Sequence, residues 1–128
     1  MKLLSASILA AALLAGCGSM YKTEAPDTPT VTSDGVLVGP TGKSLYFFNR
    51  DAVGSGKSAC NGPCATLWPA LGVAATARPM GAYTIITRDD GTKQWAYKGA
   101  PLYYFSRDMK AGDRTGDNFN GVWKLARP

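Results

Sequence analysis

The chain has 128 residues, 45% hydrophobic and 18% charged, a length and apolar share that suit one packed domain. It carries a formal net charge of +5 and no histidine. Without imidazole there is no Ser-His-Asp or Cys-His catalysis, no C-x-x-C-H haem attachment and no Cys/His zinc finger, and three cysteines are too few for a metal site built from four thiolates.

The chain opens with Met1-Lys2 and a leucine- and alanine-rich run to Leu14, too short to span a bilayer as a stable helix. It ends in Leu14-Ala15-Gly16-Cys17, which looks like a bacterial lipobox. Small residues fit the narrow site of the signal peptidase, and the thiol of Cys17 is the group that accepts the diacylglyceryl chain. Residues 1–16 are therefore expected to be a lipoprotein signal peptide; the alternative is an ordinary secretory signal followed by a chance cysteine. Gly18 in place of Asp favours the outer membrane, facing the periplasm, if the host is Gram-negative. Residues 17–33 are polar and rich in Thr and Pro, the composition of a flexible tether. The folded domain is expected over residues 34–128.

Within that domain Asp34-Gly35 and Gly42 mark turns ahead of an aromatic strand, Leu45-Tyr-Phe-Phe48, that ends near Asp51. In an extended chain Leu45 and Phe47 face one way, Tyr46 and Phe48 the other, so the strand is bulky on both faces and belongs in the interior. A short turn of helix is possible over Pro63–Leu67. Ala82–Thr87, Arg88-Asp-Asp-Gly91 and Lys93–Tyr97 read as a hairpin, and Lys98-Gly99 turns the chain into Pro101-Leu-Tyr-Tyr-Phe105. No longer segment of the domain has a helical apolar stripe.

With Cys17 assigned to lipid, Cys60 and Cys64 remain in Cys60-Asn-Gly-Pro-Cys64. In an oxidising compartment two such thiols, separated by turn-forming Gly and Pro, are expected to form a structural disulfide. The alternative is redox or Cu(I) chemistry, for which the folded part offers only Met80 and Met109 as further soft ligands.

The domain is internally repeated. Gly42-Lys-Ser-Leu-Tyr46-Phe-Phe48-Asn-Arg-Asp51 aligns without a gap to Gly99-Ala-Pro-Leu-Tyr103-Tyr-Phe105-Ser-Arg-Asp108, and Leu67-Trp68 answers Val122-Trp123. Repeats are expected over about residues 34–71 and 88–126, in an all-β domain of two pseudo-symmetric halves forming a small sandwich or a barrel-like unit.

Tyr46, Phe48 and Asp51, with Tyr103, Phe105 and Asp108, fit a Y-x-aromatic-x-x-D motif. The chain thereby resembles a family of small bacterial secreted-repeat lipoproteins, and Cys60-x-x-x-Cys64 with Trp68-Pro69 and Gly121-Val-Trp123 are similar to that family's other blocks. The resemblance implies the duplicated architecture and no assigned activity. Some relatives carry a histidine after the last Trp; Lys124 stands there in this chain.

The two aspartates are expected to accept hydrogen bonds from their own turns; convergence into a carboxylate pair is the functional alternative. The loop from Asp108 to Gly121 is rich in oxygen ligands but lacks Ca²⁺-loop spacing, and Lys110 and Arg114 lie among its acids. No cofactor, metal or catalytic residue is assigned. Basic residues are scattered, which argues against nucleic acid; the membrane through the N-terminal lipid is the expected partner, and the tyrosines offer contacts for an envelope protein or a glycan. The first reading is a non-enzymatic binding or interaction module; the second is a redox or copper-handling accessory using Cys60 and Cys64.

Overall fold

The computed structural model describes residues 28–32 and 34–128. The expected signal peptide and Cys17 lie outside the described residues. Strands predominate: β1 (Thr30–Val31), β2 (Leu37–Val38), β3 (Tyr46–Phe48), β4 (Tyr83–Thr87), β5 (Lys93–Tyr97), β6 (Ala100–Pro101) and β7 (Trp123–Leu125), with one short helix, α1 (Pro63–Leu67), and a 3-10 turn at Phe119–Gly121. All ladders are antiparallel: β1 with β2, β3 with β7, and β4–β5–β6 in order. The sheets are small and do not close into a barrel.

The hairpin forms where its turn residues place it. Arg88 and Thr92 close the loop, Gly91 N–H donates to the Arg88 carbonyl, and Gly91 takes a φ of +88° that suits glycine. Lys98 and Gly99, both at positive φ, make the two-residue turn that joins β5 to β6. The start of the fold differs from expectation. Thr30–Val31, expected in the tether, pair with Leu37–Val38 around a turn closed by Thr32 and Val36, so the fold begins upstream of Asp34. Val31 is half exposed, so this strand is held by backbone pairing, which polar composition does not reveal.

Alternation along β3 sorts side chains into two cores. Leu45 and Phe47, with Leu102 and Tyr104 from the second repeat, pack against Leu37, Leu71 and Trp95. Tyr46 and Phe48, with Tyr103 and Phe105, pack against Trp68, Trp123 and Cys60. Both faces of the aromatic strands are thus buried, as their bulk requires.

The repeats make matching hydrogen bonds. Leu45 N–H donates to Leu37 and Leu102 N–H to Trp95, each at 3.0 Å; Asp51 N–H donates to Phe48 and Asp108 N–H to Phe105, at 3.1 and 3.0 Å. The closing segments, however, are exchanged. Ala126 from the second repeat donates to Leu45 at 2.8 Å, while Leu71 from the first donates to Leu102 at 3.0 Å. Tyr46 and Tyr103 exchange both backbone hydrogen bonds, at 2.8 and 3.1 Å, and so mark the pseudo-twofold axis.

Candidate functional site

The repeated motif assembles across that axis. Tyr46 Oη donates to Asp108 Oδ2 and Tyr103 Oη donates to Asp51 Oδ2, each at 2.6 Å. Each tyrosine therefore serves the aspartate of the other repeat. The second oxygen of each carboxylate faces its own loop: Asp51 Oδ1 accepts Ala59 N–H at 2.7 Å, and Asp108 Oδ1 accepts Thr115 N–H at 2.9 Å and the Thr115 hydroxyl. The own-turn bonds expected from the sequence are thus joined by a bond from the other repeat. Among the described residues neither carboxylate bonds to the other.

The environment sets the protonation of these groups. Burial raises the pKa of Tyr46 and of Tyr103, and the facing carboxylates of Asp108 and Asp51 raise them further. Burial also raises Asp51, opposed by the hydrogen bonds from Tyr103 and Ala59 and by the charge of Arg88.

Arg88, a turn residue in the sequence, has its guanidinium buried. Its Nη1 donates to Gln94 Oε1 at 2.6 Å and to Ser58 Oγ at 3.1 Å, and its Nη2 donates to the Cys60 carbonyl. Ser58 Oγ lies 2.6 Å from Tyr103 Oη, so a continuous polar path runs from Arg88 to Asp51. Sequence inspection missed Arg88, Gln94 and Ser58, because polar residues beside a hairpin turn or in a Gly/Ser loop read as solvent-facing.

The aromatic residues form a second crossed structure. Phe105 stacks on Trp68 at 4.2 Å, Trp68 on Trp123 at 3.8 Å and Trp123 on Phe48 at 4.2 Å, giving a four-ring pile with repeats alternating 2, 1, 2, 1. Cys60, fully buried, packs in the same cluster, and its sulfur lies at bonding distance, 2.10 Å, from that of the half-buried Cys64. Phe119 packs against Trp68 in the second half, in the place that Cys64 takes in the first. Met80 and Met109 are exposed on loops.

The acidic loop is organised by turn chemistry. Asp113 Oδ2 accepts from Met109 and Lys110 N–H, Asp117 accepts from Leu125 N–H, and Arg114 forms a two-pronged pair with Asp34 at 2.6 and 2.9 Å. That pair, together with the Thr32 hydroxyl, holds the Asp34 carboxyl well below the usual range. Among the described residues no trio of Cys, Asp or Glu is placed to hold a metal ion.

One further feature was not read from the sequence. A cleft of about 440 Å³ opens beside β3, walled by Phe47, Phe48, Val53 and Tyr97, with Lys98 and Arg127 at its rim. Val53, in a Gly/Ser loop, is 70% exposed.

The crossed bonds and rings define a tandem β-repeat module, each half completed by the other. Residues 28–72 and 84–127 each match a secreted repeat of unknown function, and the chain belongs to that family. Membership of a secreted family indicates export. No curated protein and no solved structure matches the chain. No described helix is long and apolar enough to cross a membrane.

Proposed function

We propose that this protein is an envelope lipoprotein, exported and held at the membrane by an acyl group on Cys17, whose duplicated domain is a non-enzymatic binding or interaction module. The observation that carries the reading is the crossed Tyr–Asp pairing. Both copies of the motif's acid are engaged in bracing one repeat against the other, which gives the motif a structural task in each half. The lipobox supplies the anchor and the polar residues after it a spacer, with placement at the outer membrane in a Gram-negative host. An envelope protein or a glycan is the partner class such a module would meet.

The anchor is tested by metabolic labelling with an alkyne fatty acid. Label should appear on the wild-type protein and vanish in Cys17→Ser; retained label would remove the anchor. The module reading is tested by turnover assays on Asp51→Asn and Asp108→Asn proteins. An activity lost in either variant while the fold is kept would overturn it. Burial of Cys60 among aromatic rings supports a structural disulfide over a redox role. A reduction potential in the range of thiol oxidoreductases would reverse that preference.

A further inference from the structure

We infer that the cleft beside β3 is a binding site for a small hydrophobic carboxylate, an anion with an apolar body. The inference rests on reading the domain as a binding module and names the chemistry its cleft would take.

The duplication supplies an internal control. A pseudo-equivalent cleft of about 310 Å³ lies in the other half, where Thr41, Lys43, Tyr104 and Ser106 stand at the positions of Lys98, Ala100, Phe47 and Asn49. The two halves share their central backbone hydrogen bonds, although the turn beside the cleft is one residue shorter at Tyr97–Ala100 than at Gly39–Lys43. The clefts differ in three ways. First, Tyr104 crowds Gly39: a Cβ built on that glycine would fall 2.0 Å from the Tyr104 hydroxyl. Phe47 has no hydroxyl to project in this way, and Tyr97 stands where Gly39 does. Second, the loop over the first cleft presents Val53, 70% exposed, where the second has Lys110. Leaving such a side chain in water has no folding advantage. It is held there by the Gly54 N–H, which donates to the Gly99 carbonyl at 2.9 Å, and a Cβ built on Gly99 would fall 3.2 Å from the Val53 Cγ1.

Third, the charges differ. Lys98 stands where the second half has Thr41 and Arg127 where it has Gly72, whereas the second half carries Lys43 and Lys110 where the first cleft has Ala100 and Val53. The cations are thus placed differently: at the first cleft they are Lys98 and Arg127, set beside apolar walls. Lys98 is fixed in its turn by a backbone hydrogen bond to Ala82, and its Nζ lies 5.4 Å from the ring centroid of Tyr97, a wall of the cleft. Arg127 donates one hydrogen bond to the Asp34 carbonyl, while the Asp34 carboxylate is taken by Arg114. The acid in the lining, Asp51, is already bonded to Tyr103 and Ala59. Apolar walls below two rim cations fit a body of one or two rings, or a short acyl chain, carrying a single carboxylate.

The test uses the full chain in phosphatidylcholine nanodiscs, titrated calorimetrically with water-soluble probes. 2-Naphthoate and octanoate, separate arms for aromatic and acyl bodies, report on the cleft, and saturable binding of either is the expected result. 1-Naphthylmethylammonium, with the opposite charge, should bind at least about tenfold more weakly than 2-naphthoate, and acetate, with no apolar body, weaker still. Val53→Asp, at an exposed position, should weaken carboxylate binding by about tenfold or more, whereas Thr41→Asp in the second cleft should leave it unchanged. Circular dichroism confirms that each variant is folded. Absence of saturable binding to millimolar concentration, equal binding of the ammonium probe, or wild-type affinity in Val53→Asp would overturn the inference. Each of these results leaves the module reading standing, because that reading falls only to the turnover assays.

Discussion

Trp68 and Trp123 lie face to face, 3.8 Å apart and 4° from parallel, although they come from different repeats. Neither tryptophan is covered by its own aromatic strand: Phe105 caps Trp68 and Phe48 caps Trp123. A repeat expressed alone therefore lacks both its stacking partner and its capping ring. Residues 28–72 by themselves are expected to be unfolded by near-UV circular dichroism, and a mixture with residues 79–128 to recover signal. In the intact chain Trp123→Ala should cost about 3–5 kcal/mol in urea unfolding, the range for removing a large buried ring. A loss below about 1 kcal/mol would mean that the pile is dispensable.

The tyrosine–aspartate pairing makes a prediction that distinguishes crossed from local bracing. Double-mutant cycles on Tyr46→Phe with Asp108→Asn, and on Tyr103→Phe with Asp51→Asn, should give coupling energies of about 1–3 kcal/mol. The same-repeat cycles, Tyr46 with Asp51 and Tyr103 with Asp108, should be additive to within roughly 0.5 kcal/mol. Reversal of that pattern would refute the crossing.

Alkaline titration reads the same groups. Tyr46 and Tyr103 are raised above the ordinary tyrosine value, so the folded state keeps their protons where the unfolded chain releases them. Their contribution to stability is complete below about pH 10 and is lost as the pH rises beyond it. Absorbance at alkaline pH should show these two tyrosines ionising with unfolding rather than before it. The Tyr46→Phe/Tyr103→Phe protein should lose less stability over that interval than the wild type.

Arg88 is predicted to hold both stability and the charge of Asp51. Arg88→Met leaves Gln94, Ser58 and the Cys60 carbonyl without their buried donor, a loss of about 2–4 kcal/mol. It also removes a cation that lowers the Asp51 pKa, so that pKa moves further up. For a carboxyl raised in the fold, stability is present at acid pH and declines as pH rises through the folded value. The decline from about pH 4 towards neutrality should therefore be larger in Arg88→Met than in wild type, as followed by tryptophan fluorescence. An unchanged slope would separate Arg88 from Asp51.

The Cys60–Cys64 pair closes a loop with a sequence separation of 4. A bridge across so short a loop should contribute about 2 kcal/mol, and Cys60→Ala/Cys64→Ala should lower the unfolding midpoint by the corresponding amount.

Much of this structure is legible in the residues, and the unread part has physical causes. Asp90-Gly91 and Lys98-Gly99 encode their turns by local backbone preference, and the two-sided bulk of Leu45–Phe48 encodes its burial. Pro63–Leu67 forms the short helix its composition allowed. The partner of each motif aspartate is another matter. The spacing of Tyr46 to Asp51 repeats in Tyr103 to Asp108, so sequence position gives no preference between a pair within a repeat and one across. Arg88 was hidden because burial of a guanidinium depends on acceptors, Ser58, Gln94 and the Cys60 carbonyl, brought from separate elements. The cleft needs β3, the loop at Val53 and the turn at Lys98 together, and no one of them signals it alone.

The exchange of closing segments bears on how such a domain could arise. Every contact a repeat lacks is one that an identical copy would provide: a tyrosine for the aspartate, a ring for the tryptophan, a strand for the strand. Two separate single-repeat chains related by a true twofold would meet the same set of demands. Joining them in one chain keeps the interface while removing its dependence on concentration, and it frees each half to change alone. Lys98 and Thr41, or Cys64 and Phe119, are what that freedom has produced.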